Sequence, residues 1–111
     1  MNNIKDERIK EALKNTAAEF IGKESNHTSL ITVTNIEIMN RGKNVTVLLS
    51  VLPEDKEEVV IDFLSRKRRN LREYLKTKVS MRVLPFFTFA IDHGEKNRRR
   101  IEEIITEDKN R

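Results

Sequence analysis

Residues 30–52 constrain the fold of this chain more than any other stretch. Leu30 to Met39 is rich in Ile, Val and Thr, and Val45, Val47, Leu49 and Val51 alternate with Thr46, Leu48, Ser50 and Leu52. β-Branched residues in period-two order favour strands, and the intervening Asn40-Arg41-Gly42-Lys43-Asn44 has turn chemistry. The stretch therefore predicts an antiparallel hairpin. The first run slips parity once, because Ile31 and Val33 share one parity and Ile36 and Ile38 the other. That slip predicts a β-bulge near Asn35. A hairpin with one apolar face is marginal in water, so other elements must cover it.

The flanking sequence supplies that cover. Over residues 4–23, Ile9, Leu13, Ala17, Phe20 and Ile21 recur at helical steps among charged residues, and Gly22 stands where such a helix can end. Pro53-Glu54-Asp55 opens a second helix, its acids complementing the positive end of the helix dipole. Val59, Val60, Phe63 and Leu64 form its expected buried stripe; continuing that phase lands on Lys67 and Arg68, then on Leu71 and Leu75. The interruption leaves both a kink and a continuous helix open at residues 66–70. Met81 to Ile91 reads as a third strand with Val83, Phe87, Phe89 and Ile91 on one face. Pro85 cannot donate to a ladder, which puts this strand at an edge or gives it a bulge. Asp92-His93-Gly94-Glu95 has capping-box spacing ahead of a short C-terminal helix carrying Ile101, Ile104 and Ile105.

The order α-β-β-α-α-β predicts an α+β fold, a three-stranded sheet with helices on one face and a short extra C-terminal helix. A chain of 111 residues has room for one domain, residues 1–111, with an ordered core at about 4–105. No apolar run reaches membrane-spanning length, the first residues lack a secretory signal, and cysteine is absent. The expectation is a cytoplasmic protein without disulfides or thiolate metal sites.

Charge is concentrated rather than spread. Residues 66–78 hold Arg66, Lys67, Arg68, Arg69, Arg72, Lys76 and Lys78 against the single acid Glu73, a local +6 in a chain of net charge +4, so the other 98 residues come to −2. Lys and Arg suit a helix C-terminus, but one or two satisfy the dipole, and four consecutive cations repel one another. The cluster instead predicts a polyanionic partner, because cations on phosphates release condensed counterions. Four phosphate contacts weaken binding about a hundredfold between 50 and 200 mM salt. DNA or an anionic membrane satisfies the charge as well as RNA does.

Other constellations carry less. Arg98-Arg99-Arg100 is diluted by neighbouring acids and reads as a solvated face; Arg41 and Lys43 at the hairpin tip are a possible peripheral RNA contact. His27 and His93 have no partners at ligand spacing, so no metal site is expected. Carboxylates such as Glu54, Asp55, Glu57 and Glu58 lie on a helix face, and no Gly-rich phosphate loop exists among three glycines. No catalytic residues and no cofactor are expected. Phe86, Phe87 and Phe89 could stack bases, but a core short of aromatics claims them first.

Leu71-Arg72-Glu73-Tyr74-Leu75 followed by Met81-Arg82-Val83-Leu84-Pro85-Phe86-Phe87-Thr88-Phe89-Ala90-Ile91-Asp92 resembles bacterial ribosome-binding factor A, most specifically at Arg82, Pro85 and Phe89. Glu37 in the first strand and Arg41 in the hairpin are similar too, and the likeness covers about residues 5–105. The resemblance implies a KH-like (type II) fold and a non-catalytic, cofactor-free, monomeric factor. It implies binding to the immature small ribosomal subunit and its rRNA near the decoding region, support for late rRNA maturation and processing, and then departure. It implies no small-molecule substrate and no membrane. Many members kink between two helices at an Ala with a Gly nearby; here Lys67-Arg68-Arg69 stands there, with no Gly between Gly42 and Gly94. On this reading Arg66, Lys67, Arg68, Arg69 and Arg72 contact phosphate, and Lys76, Lys78 and Arg82 extend the patch. The alternative is a generic KH-like RNA- or DNA-binding module with no tie to the ribosome.

Overall fold

The computed structural model describes residues 3–94, with side chains from Glu7 onward. Helix α1 (Asn3–Glu24) leads into the antiparallel strands β1 (Leu30–Met39) and β2 (Asn44–Leu52), then α2 (Glu57–Arg66), α3 (Arg68–Lys78) and β3 (Phe86–Ile91). The sheet order is β1-β2-β3, with β3 parallel to β2, so β2 is central and the sheet is mixed. A parallel partner needs a long crossover, and the α2–α3 pair supplies it.

One core joins the layers. Val33 and Ile36 of β1, Val45, Val47, Leu49 and Val51 of β2, and Phe87 and Phe89 of β3 are buried. They share a cluster with Leu13, Ala17, Phe20 and Ile21 of α1, Val60 and Leu64 of α2, and Leu71 and Leu75 of α3. The helices therefore cover a single sheet face. Thr16 is also buried, with no hydroxyl left unsatisfied.

The parity slip in β1 is a bulge at Thr34: Val33 pairs with Leu49 and Asn35 with Leu48, leaving Thr34 unpaired in the ladder. The Thr34 hydroxyl lies 2.6 Å from Asp92 Oδ2 and 3.2 Å from the Leu48 carbonyl, and Asp92 N–H donates to Leu49 O at 2.7 Å. The extra residue thus ties β1 to the end of β3.

Several boundaries differ from the sequence expectation. Helix α1 continues two residues past Gly22, and Ser25 N–H closes its last turn on Ile21 O. The following loop is held by its own side chains: Thr28 N–H and hydroxyl both donate to Asn26 Oδ1. Pro53 precedes a 3₁₀ turn over Glu54–Lys56, so α2 begins only at Glu57. That start directs Val60 and Leu64 inward, half-buries Phe63 and leaves Val59 64% exposed, outside the expected stripe. Strand β3 begins at Phe86 rather than Met81, because Pro85 has no N–H and the Phe86 amide makes the first link, to Lys43 O at 2.8 Å. Val83, ahead of the ladder, is 63% exposed instead of facing the core. As Pro85 implied, β3 is an edge strand. Asp92 Oδ1 accepts from Gly94 N–H, a turn contact two residues ahead. The return half of the capping box at Glu95, the Arg98–Arg100 cluster and the extra C-terminal helix lie outside the described residues.

Between α2 and α3 the chain breaks at Lys67 (φ −98°, ψ 10°). This bridge region is open to any L-residue, so no glycine is needed. Lys67 N–H donates to Leu64 O, tightening the end of α2, and Lys67 O accepts from Leu71 N–H to start α3. The buried stripe of Val60, Leu64, Leu71 and Leu75 passes across the break.

Candidate nucleic-acid interface

Packing decides which basic residues reach solvent. Leu71 and Leu75 are buried, one helical turn apart, so the opposite face of α3 points outward with Arg69, Arg72 and Lys76. Arg69 and Arg72 are exposed and have no acidic partner among the described residues. Arg66 pairs with Asp62 at 2.6 Å and Lys76 with Glu73 at 3.5 Å. Both pairs are more than half exposed and lie within one turn, so they cost little to exchange for a phosphate.

The remaining three cations of the run are anchored. Lys67 lies 3.6 Å from Glu24 and 5.7 Å from the Phe63 ring centroid, linking the break to the end of α1. Arg68 reaches the outer edge of β3, where its Nε donates to Phe87 O at 2.7 Å and its guanidinium sits 4.7 Å from the Phe86 ring centroid. An edge carbonyl is thereby capped by a charged donor, and the exposed Phe86 is stacked by a cation. Lys78 joins a cluster between α3 and α1. There Tyr74 hydroxyl donates to Glu19 Oε1 at 2.9 Å, Lys78 Nζ lies 3.5 Å from the same oxygen, and Lys23 and Lys78 approach the Tyr74 ring at 4.7 and 5.3 Å. The Tyr74 hydrogen bond, followed by the positive charges of Lys78 and Lys23, holds the Glu19 carboxyl below its usual pKa. Electrostatic interaction with Tyr74, and then with Glu19, holds Lys78 above its own.

The three candidates outside the run gather elsewhere. Arg82 lines one cleft with Arg41 and Lys43, and none of the residues of α3 lines it. Sequence separation hid this grouping. It also hid Lys10, which lines the same cleft from α1, and Lys23 on Tyr74. No local spacing signals either.

Phe87 and Phe89 are core residues and only Phe86 is solvent-facing. His27 and His93 are exposed. Among the described residues no three His, Asp or Glu are grouped to hold a metal, and no helix is long and apolar enough to cross a membrane.

Comparison with known proteins bears on the family and the fold. The family model described as ribosome-binding factor A matches residues 5–105. A ribosome-binding factor A of Staphylococcus epidermidis is 28% identical, covering 98% of this chain and 100% of the relative. The crystal structure of ribosome-binding factor A from Thermus thermophilus superposes with a TM-score of 0.71 at 28% identity, covering 79% of this chain and 96% of that one. A second Thermus thermophilus structure, a homology model fitted into a cryo-EM map of a 30S–ribosome binding factor A complex, gives a TM-score of 0.63 at 31% identity, covering 71% and 86%.

Proposed function

The chain belongs to the ribosome-binding factor A family, and from that membership and the cationic face of α3 we propose that it binds the rRNA of the immature small ribosomal subunit. It acts as a single KH-like domain and a monomer, in the cytoplasm where subunits mature. It supports late maturation and rRNA processing without chemistry of its own, by binding one rRNA conformation better than its competitors. The related Thermus thermophilus factor has been fitted into a complex with the 30S subunit, which supports the choice of partner.

The observation that carries the reading is the outward pair Arg69 and Arg72, one turn apart and free of acids among the described residues, with Lys76 beside them. Arginine's planar fork holds phosphate oxygens bidentately. Arg66 and Lys76 add charge after leaving weak surface pairs, whereas Lys67, Arg68 and Lys78 chiefly fix α3 on α1 and β3. Arg41, Lys43 and Arg82 form a separate contact.

Sedimentation of the protein with small-subunit precursors tests this. Wild type should co-migrate at low salt, and Arg69→Glu/Arg72→Glu should not. Co-migration of the double variant at wild-type levels would contradict it.

A further inference from the structure

The cleft that gathers Arg82 with the hairpin has a composition unlike that of the α3 face. Its volume is about 820 Å³, within the roughly 300–1,000 Å³ of small-molecule sites. It opens between α1, the β1–β2 turn and the α3–β3 loop. Lys10, Arg41, Lys43 and Arg82 supply four cations; among the described residues no lining residue is acidic and none of the four has an acidic partner. Between these charges the lining is apolar: Ile9, Ile38, Met39, Met81 and Val83. Met39 is 47% and Val83 63% exposed, so apolar surface faces solvent in a cleft that also carries four cations.

The turn that presents Arg41 is held in a costly conformation. Asn40, Arg41 and Gly42 all have positive φ, at 53°, 57° and 90°. Asn and Gly tolerate this region, whereas an arginine is disfavoured there by its Cβ. The turn is fixed by Lys43 N–H on Asn40 O at 3.1 Å and by Asn40 Nδ2 on Asn44 Oδ1 at 2.6 Å.

Phosphate alone would need only the charges. A lining that combines apolar and cationic side chains matches a ligand that is apolar in one part and anionic in another. An unstacked nucleotide has that chemistry: its base face meets aliphatic, methionine or guanidinium surface, and its flanking phosphates meet the cations. A base-paired helix presents its backbone and base edges but keeps its base faces stacked.

We infer that this cleft receives an unpaired nucleotide of a single-stranded RNA segment, as a second contact separate from the phosphate face of α3. The inference rests on the reading that the partner is ribosomal RNA, and adds that part of it is unpaired where the cleft meets it. Helix α3 ends at Lys78 and the cleft lining resumes at Met81.

Chemical-shift mapping of the full chain with hexauridylate tests the inference. Saturable shifts at Ile38, Met39, Arg41, Met81 and Val83 are expected, with a dissociation constant of about 10⁻⁴ to 10⁻⁶ M, the range of non-specific nucleic-acid binding. Val83→Glu and Arg41→Glu/Arg82→Glu should each weaken binding at least about tenfold, because each places negative charge in the cleft. All three residues are exposed, and unchanged Phe87 and Phe89 amide signals will report an intact fold. Shifts confined to α3, binding by both variants as tight as that of wild type, or no shifts at millimolar RNA would each overturn the cleft. If wild type still sediments with small subunits in that event, the proposed function stands and only this inference falls. If wild type fails to sediment with them, the proposed function fails independently of the cleft.

Discussion

Helices α2 and α3 have 10 and 11 residues, pack against the same strand β3 and bury two aliphatic side chains each, yet their outer faces carry opposite charge. Glu57, Glu58 and Asp62 dominate the surface of α2, and Arg69, Arg72 and Lys76 that of α3. The acids at the start of α2 complement its dipole, whereas α3 opens with two arginines and no acid, which the dipole disfavours. Arg68 offsets this by capping β3. Arg69 has no such structural partner among the described residues, so its charge works against the helix it sits on. Burial requirements are thus alike in the two helices. What separates them is the surface, and only the surface of α3 departs from what stability alone favours.

Leu64→Ala in α2 and Leu71→Ala in α3 should be the most damaging changes and similar in size, about 2–5 kcal/mol each by chemical denaturation, since both side chains are almost fully buried in one cluster. A several-fold disparity would show that the two helices do not share a core. Next, Arg68→Ala should cost about 1–2 kcal/mol, because it strips a charged donor from a partly buried strand-edge carbonyl. Arg69→Ala should stay within about 0.5 kcal/mol of wild type. Equal losses would erase the distinction between anchored and free arginines.

The smallest effect concerns pH. Glu19 has its folded pKa depressed below the usual 4.5, so the stability it contributes is present above about pH 4.5 and disappears as pH falls through the lowered folded value. The stability gap between wild type and Glu19→Gln should therefore be constant near neutrality and narrow on acidification below about pH 4.5. A gap that widens there would reverse the assignment of the Tyr74–Glu19–Lys78 cluster.

Much of the fold was legible because its signals are local. The parity slip between Val33 and Ile36 located the bulge within one residue, and Pro85 marked β3 as an edge. The stripes of α1 and of Leu64, Leu71 and Leu75 named most of the helical core. What failed depended on phase. A single 3₁₀ turn before α2 moved Val59 out of the stripe, and the first ladder bond of β3 waited for the residue after Pro85.

The site was legible as a composition but not as an arrangement. Thirteen consecutive residues announced the charge, yet sorting Arg68 from Arg69 required knowing that the β3 edge passes beside α3, a contact 19 residues away in the chain. The assembly of Lys10, Arg41, Lys43 and Arg82 around one cleft depends on three elements meeting, which no spacing encodes.

The most direct test of the central claim is the salt dependence of affinity for small-subunit precursors, wild type against Arg69→Ala/Arg72→Ala. If both arginines neutralise phosphates, the slope of log affinity against log salt should become shallower by about 1.4–1.8, and affinity at low salt should fall. An unchanged slope and affinity would mean that the outward arginines of α3 do not touch RNA.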